Sequence, residues 1–330
     1  MRSDPTDTPS GITRRQAAGG ALASLAGLAA VPSLSADAAD APANDAPGDK
    51  LRIATCQFPV SGSCAENARY IADFMRQAAA RGAHLLHTSE ASLSGYAGTD
   101  FPSLDNYDWA ALRVETARLR AQARELQMWL VLGSTHFLAA GIKPTNCLYL
   151  IDPAGQIVDR YDKCFCTEGD QKFYSAGNRL VTHEIRGVKV GLAICYDVCW
   201  PQLYSAYREL GATVMIHSMH NARSKGKNCL DTLNVREVPT RCADNRMWAI
   251  VNNSSQPYSH WGSFVARPDA TIPKQLPMNQ PGMLVHDFPD TLSPDGWWHN
   301  FKPMRLRDDE TMTWGTPSDH PRQRDGRSEP

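Results

Sequence analysis

The sequence lacks any imbalance of charge. Lys and Arg number 34 against 35 Asp and Glu, a formal net charge of -1, so no global field draws the chain to nucleic acid or to an anionic membrane. It lacks an apolar run of the roughly 18–20 residues that a spanning helix needs, so no membrane anchor is expected in the mature chain. It also lacks a Cys-x-x-Cys knuckle and a paired-histidine motif, the usual spacings of structural zinc sites. Cys164-Phe165-Cys166 and the step from Cys195 to Cys199 are the nearest approach to such a motif. A Cys/His metal protein is therefore the weaker reading, and no metal is expected. Neither an internal repeat nor a linker divides the chain after residue 50. What is there is 330 residues with 42% hydrophobic and 21% charged side chains, enough to bury one large core. That composition suits an enzyme acting on a small molecule, or a secreted binding protein.

The N-terminus has the order of an export signal. Arg14-Arg15 precede a mildly apolar stretch from Ala17 to Val31, and Pro32 and the small-residue tripeptide Ala36-Asp37-Ala38 follow. A charged region, a short apolar region and an A-x-A site form a signal peptide. The paired arginines resemble a twin-arginine signal. Residues 1–38 are thus expected to be removed, 39–50 to form a flexible leader, and the mature protein to be periplasmic or secreted. Nine cysteines leave at least one thiol unpaired within an exported monomer. Most of them suit small buried hydrophobes.

From Leu51 onward strand-like runs alternate with helical patterns, which predicts an α/β layered domain over residues 51–290. Strands are expected at Leu51–Phe58, Ala83–Ser89, Trp129–Phe137, Val188–Ile194, Thr213–Ser218, Trp248–Asn253, Ser263–Arg267 and Met283–Phe288. Helices are expected at Glu66–Arg81, Asp108–Leu126, Pro201–Leu210 and Thr232–Arg246. Cys147–Asp152 and Ile157–Tyr161 flank Pro153-Ala154-Gly155 and read as a hairpin. Residues 291–330, rich in Pro, Asp, Arg and Trp, have little periodicity and read as an extended tail.

Three segments carry chemistry. Gly191-Leu192-Ala193-Ile194 ends a hydrophobic strand in Cys195-Tyr196-Asp197, and a helix follows. This places a thiol at a sharp strand-to-helix corner, where backbone N–H groups can face an oxyanion. Leu85-Leu86-His87-Thr88-Ser89 ends a second strand in Glu90, and the hairpin's second strand, through Tyr161-Asp162, ends in Lys163. Singly, Glu90 and Lys163 read as solvated charges and Cys195 as a buried structural cysteine.

In this chain order, the three segments resemble the nitrilase superfamily of carbon–nitrogen hydrolases. Ser175-Ala176-Gly177-Asn178 is similar to that family's Pro-Gly-Asp turn, and Arg241-Cys242-Ala243-Asp244-Asn245-Arg246 to its Arg-Ala-x-Glu-Asn-Arg segment. The departures are Ser89 where the family usually has Pro before its Glu, and Cys199-Trp200-Pro201-Gln202 where it usually has Arg-Phe-Pro-Glu. The resemblance implies a four-layer α-β-β-α sandwich, self-association into a homodimer or higher homo-oligomer, and no cofactor. It implies a Glu90–Lys163–Cys195 triad with the Tyr196 N–H as an oxyanion donor. A second active-site carboxylate is expected at Glu168 or Asp170, with Glu168 preferred because its side chain is one methylene longer. Tyr96, Trp200, His217, His220 and Asn221 follow strand ends and are pocket candidates, while Arg223, Lys225 and Lys227 read as a solvated basic face. The implied activity is hydrolysis of a non-peptide amide or N-carbamoyl group. A nitrilase and a non-catalytic binding protein on the same fold are the alternatives.

Overall fold

The computed structural model describes residues 50–222, 225–226 and 233–289. The expected signal peptide, the leader up to residue 49 and the tail from residue 291 lie outside the described residues. Two six-stranded sheets form the centre. One contains β1 (Leu51–Gln57), β2 (Leu85–His87), β3 (Trp129–His136), β4 (Thr145–Ile151), β5 (Ile157–Asp162) and β12 (Gly282–Phe288), in the order β12-β1-β2-β3-β4-β5. The other contains β6 (Thr182–Ile185), β7 (Val188–Ile194), β8 (Val214–Ser218), β9 (Trp248–Asn252), β10 (Phe264–Ala266) and β11 (Lys274–Gln275), in the order β11-β10-β9-β8-β7-β6.

The two sheets share one plan. In each, three consecutive parallel strands are flanked by one antiparallel strand on one side and two on the other. The helices α1 (Cys64–Ala80) and α2 (Trp109–Glu125) connect the parallel strands of the first sheet, and α3 (Pro201–Glu209) and α4 (Leu233–Asn245) those of the second. This structural duplication has no counterpart in a sequence repeat.

Three separate apolar clusters define the layers. Leu51, Ile53, Leu85 and Val131 of the first sheet meet Val190, Leu192, Val214 and Ile250 of the second between the sheets. Ile71, Phe74, Met75 and Leu119 pack α1 and α2 on the outer face of the first sheet. Tyr204, Tyr207, Val238 and Cys242 do the same for α3 and α4 on the second. The result is the α-β-β-α sandwich. Because β7 is covered on both faces, it reads VKVGLAI, a near-continuous apolar run, rather than alternating. Each such Val, Leu or Ile contributes about 1.5–3 kcal/mol when fully buried.

Local chemistry sets the ends. Ser63 caps α1, its hydroxyl accepting from the Glu66 N–H at 3.3 Å, and Ile71, Phe74, Met75 and Ala78 fall on its buried face. Asp108 caps α2 by accepting from Ala111 N–H at 2.9 Å, and Pro201 opens α3. β2 is shorter than expected, three residues instead of seven, because the chain turns out of the sheet after His87 to form the loop that holds Glu90. β6 and β11 were not legible as strands: β6 is four residues, and β11 two exposed polar ones.

Candidate active site

The parallel strands of both sheets end on one side, and the chemistry collects there. Leaving β2, the chain runs through Thr88 and Ser89 to Glu90 and turns at Ala91, whose φ is 51°. Strand β3 passes directly beneath: a Cβ added to Gly133 would lie 1.9 Å from the Ser89 carbonyl oxygen. Only glycine permits that approach. Thr88 Oγ1 accepts from Gly133 N–H at 2.9 Å and from Ser92 Oγ at 2.7 Å, so the loop is fixed on both sides of Glu90.

Glu90 is fully buried. Its Oε1 accepts from Lys163 Nζ at 2.8 Å and from Asn146 Nδ2 at 2.8 Å, while Oε2 has no partner. A buried, unpartnered carboxylate oxygen is costly unless a reaction uses it. Lys163 follows β5 and is also fully buried. Its ammonium bridges Glu90 and Asp170, the second ion pair being 2.8 Å as well. Burial alone would lower the Lys163 pKa, but Glu90, Tyr96, Cys195 and Asp170 together raise it well above its ordinary value. The ammonium therefore stays charged. Beneath it, Gly177 N–H donates to the Lys163 carbonyl at 2.8 Å, and a Cβ on Gly177 would meet the Asp162 carbonyl at 2.2 Å.

Cys195 is set at a strained corner. Ile194 ends β7 in extended geometry, Cys195 has φ 43°, and one short 3-10 turn, Cys195–Cys199, leads into α3. A non-glycine residue in that region costs of order 1–3 kcal/mol and persists only where its surroundings hold it. Asp197 supplies the hold. Its Oδ2 accepts from Ile194 N–H at 2.8 Å and Tyr161 hydroxyl at 2.6 Å, and its Oδ1 from Phe165 N–H at 2.9 Å. Burial pushes the Asp197 carboxyl up to about 6, against the pull of these donors. Asp197 thereby ties the corner carrying Cys195 to the segment just past Lys163. The Cys195 thiol is raised well above its ordinary pKa, first by burial, then by the charge of Glu90, with Lys163 opposing and Asp170 adding to the rise. It is a protonated thiol at rest, facing a carboxylate.

The second carboxylate is where the sequence preference is corrected. Glu168 is exposed, whereas Asp170 is buried against Lys163 and also accepts a hydrogen bond from the Tyr96 hydroxyl. The short 3-10 turn Asp170–Lys172 brings the shorter side chain to the ammonium, so the extra methylene of Glu168 does not decide the position. Burial alone would raise the Asp170 pKa, but Lys163 and the Tyr96 hydroxyl bring it below the usual carboxylate value.

The pocket candidates divide. Tyr96 borders the site, its hydroxyl 3.5 Å from Lys163 Nζ and its ring 5.3 Å from that of His220. Trp200 stacks on Phe165 with ring centroids 4.1 Å apart, and Tyr196, exposed, meets it edge-on. Asn221 Oδ1 lies 3.9 Å from Cys195 Sγ. His220 is buried in an ion pair with Asp100 at 3.2 Å, and Asp100 also accepts from Tyr96 N–H at 2.8 Å. Desolvation would lower the His220 pKa, but its hydrogen bond and charge interaction with Asp100 raise it. His217 does not line the pocket. It is fully buried beneath the nucleophile, with Nδ1 2.8 Å from Tyr204 hydroxyl and Nε2 3.2 Å from the Cys195 carbonyl oxygen. Of the basic face, Lys225 is exposed above the Tyr258 ring, and Arg223 and Lys227 lie outside the described residues.

Asn146 was missed in the sequence. The β4–β5 register pairs Cys147 with Asp162, and Lys163 N–H donates to Asn146 carbonyl at 2.9 Å. A bulge between Leu150 and Ile151 shifts the register by one residue, so counting out from the turn would have set Asn146 opposite Asp162 instead of the lysine. Among the described residues, eight cysteines take part in no disulfide, and no group of three or more His, Cys, Asp or Glu side chains is gathered as for a metal ion. Cys229 lies outside them. No helix among them is long and apolar enough to cross a membrane.

Residues 52–293 match the family model of the carbon–nitrogen hydrolases. The chain is 27% identical over 176 residues to the human omega-amidase, covering 51% of this chain and 62% of that enzyme. It is 30% identical over 180 residues to a deaminated glutathione amidase of Escherichia coli O157:H7, covering 50% and 64%. The chain thus spans a little over three-fifths of the length of these relatives. In fold it is similar to an amidase from Nesterenkonia AN1, solved as a cysteine-to-alanine variant, with TM-score 0.65 and 23% identity over 73% of this chain and 91% of that one.

Proposed function

The chain belongs to the carbon–nitrogen hydrolase family, and on that premise we propose that it hydrolyses a small non-peptide amide or N-carbamoyl group through a thioester on Cys195. The observation that carries this is the buried group of Glu90, Lys163 and Asp170 beside a strained, protonated thiol. Glu90 takes the thiol proton as sulfur attacks the carbonyl carbon. Lys163 and the Tyr196 N–H hold the oxyanion of the tetrahedral intermediate. The carbon–nitrogen bond then breaks, and nitrogen leaves as ammonia or amine with the proton from Glu90. Water gives a proton to Glu90 and attacks the thioester. The acid departs and the thiol regains its proton. Asp170 and Asn146 keep Lys163 and Glu90 aligned.

The relatives named above are amidases, which favours an amide over a nitrile. The retained triad geometry weighs against a non-catalytic binding protein despite Ser89 and the altered loop after Asp197. The test is ammonia release by the purified chain from a panel of small amides, N-carbamoyl compounds and nitriles, with Cys195→Ala alongside. Ammonia from amides or carbamoyl compounds, lost in the variant, is expected; release from nitriles alone overturns the amide reading. The Arg14-Arg15 signal supports export, checked by N-terminal sequencing of the periplasmic protein. Self-association, implied by the family, is read from its mass in solution.

A further inference from the structure

We propose that Ser218 and His87 are positioning residues that set the approach of the Glu90 loop to Cys195. This rests on the reading of Glu90 as base and Cys195 as nucleophile. Strand β8 lies beside β7, and its register places Ser218 opposite Ile194, the residue before the nucleophile. Successive residues of a strand point to opposite faces. His217 points toward α3 and reaches the Cys195 carbonyl. Ser218 points to the other sheet, where its Oγ lies 2.8 Å from His87 Nε2 and donates to the Thr88 carbonyl at 2.9 Å. One strand thus touches the chain at the nucleophile and two residues before the base.

The proton count gives this contact a direction. The Ser218 hydroxyl has one proton, given to the Thr88 carbonyl, so His87 Nε2 must donate to Ser218. His87 Nδ1 is then bare and accepts from Thr55 Oγ1 at 3.1 Å, which in turn accepts from Asn252 Nδ2 at 2.6 Å. The chain of donors runs from Asn252 on β9 to Thr55 on β1, His87 on β2, Ser218 on β8 and the Thr88 carbonyl. It crosses between the sheets at Asn252 to Thr55, at His87 to Ser218 and at Ser218 to Thr88. All five residues are fully buried. Burial, with His217 nearby, pushes the His87 pKa down to about 3, so the ring is neutral and has the single donor this order requires. Nothing in the reaction touches these side chains; they act through the position of Glu90.

The experiment is a Ser218 series read by steady-state kinetics, thermal melting and the pH dependence of Cys195 alkylation by iodoacetamide. In Ser218→Ala, kcat is expected to fall about 10- to 100-fold with KM changed less than about threefold, the pattern of misplaced reacting groups. Ser218→Thr, which keeps the hydroxyl, is expected to restore most of the loss. Glu90, Lys163 and Asp170 are the charged groups around the thiol. As the Glu90 charge recedes, the midpoint of alkylation in Ser218→Ala is expected to move to lower pH. A folded Ser218→Ala with unchanged kcat and an unmoved midpoint overturns the proposal, as does a loss that Thr does not restore. If Ser218→Ala fails to fold, Ser218→Cys, near in shape but a weak donor, carries the same comparison. Activity surviving in Cys195→Ala would instead overturn the proposed function, and the alkylation profile still judges Ser218 by itself.

Discussion

Lys163→Met is expected to abolish measurable turnover and to weaken the fold at the same time. Two separate losses add. An oxyanion donor is gone, which typically removes about 2.7–4 kcal/mol of transition-state stabilisation. Two buried carboxylates, Glu90 and Asp170, are also left without the ammonium between them. Removing one partner of a buried ion pair costs about 3–5 kcal/mol of stability. With the ammonium gone, the Glu90 carboxylate loses the contact that holds it in line with the thiol. Turnover should therefore fall by more than the ~10²–10³-fold of a lost donor alone. The checks are kcat and the melting temperature measured together. Turnover near the wild-type rate in a folded variant would remove Lys163 from the mechanism.

Asp170→Asn is the second large effect, and its control is Glu168→Gln. Asp170 is buried on the ammonium, and Glu168 is exposed. Loss of the Asp170 charge is expected to lower kcat on the order of 10²-fold, the scale of a misplaced reacting group. Glu168→Gln is expected to stay within about twofold, as for other surface substitutions. The Asp170 carboxyl lies below its ordinary value in the folded protein, so its contribution to stability is fully present above pH ~3.9 and lost as pH falls through the folded value. Asp170→Asn should remove that share of the acid destabilisation, seen in melting curves as the pH falls below about 3.9. The reverse result, with Glu168→Gln inactive and Asp170→Asn active, would restore the carboxylate that the sequence preferred.

What the sequence disclosed follows from what each feature depends on. β7 and the corner at Cys195 were legible because a continuous apolar run ending before a helix leaves one arrangement. The order of strands and helices, and with it the two-sheet sandwich, came from alternation and resemblance. Asp170 was named but ranked behind Glu168, because the choice between two acidic residues depends on which one a short turn carries inward, and side-chain length does not report that. His217 was misplaced because a strand's last residues alternate faces, and the buried face is set by the helix packed behind it. Asn146 depended on hairpin register, and His87 and Ser218 on contacts between strands 131 residues apart. Such pairs exist only once both sheets have closed.

The central claim is a thioester on Cys195, and hydroxylamine tests it most directly. An acyl-enzyme partitions between water and hydroxylamine, so amide turnover in its presence should yield hydroxamate at the expense of acid, and Cys195→Ala should yield neither. Acid formed from the amide with no hydroxamate at any hydroxylamine concentration, or hydroxamate still formed by Cys195→Ala, would contradict the account.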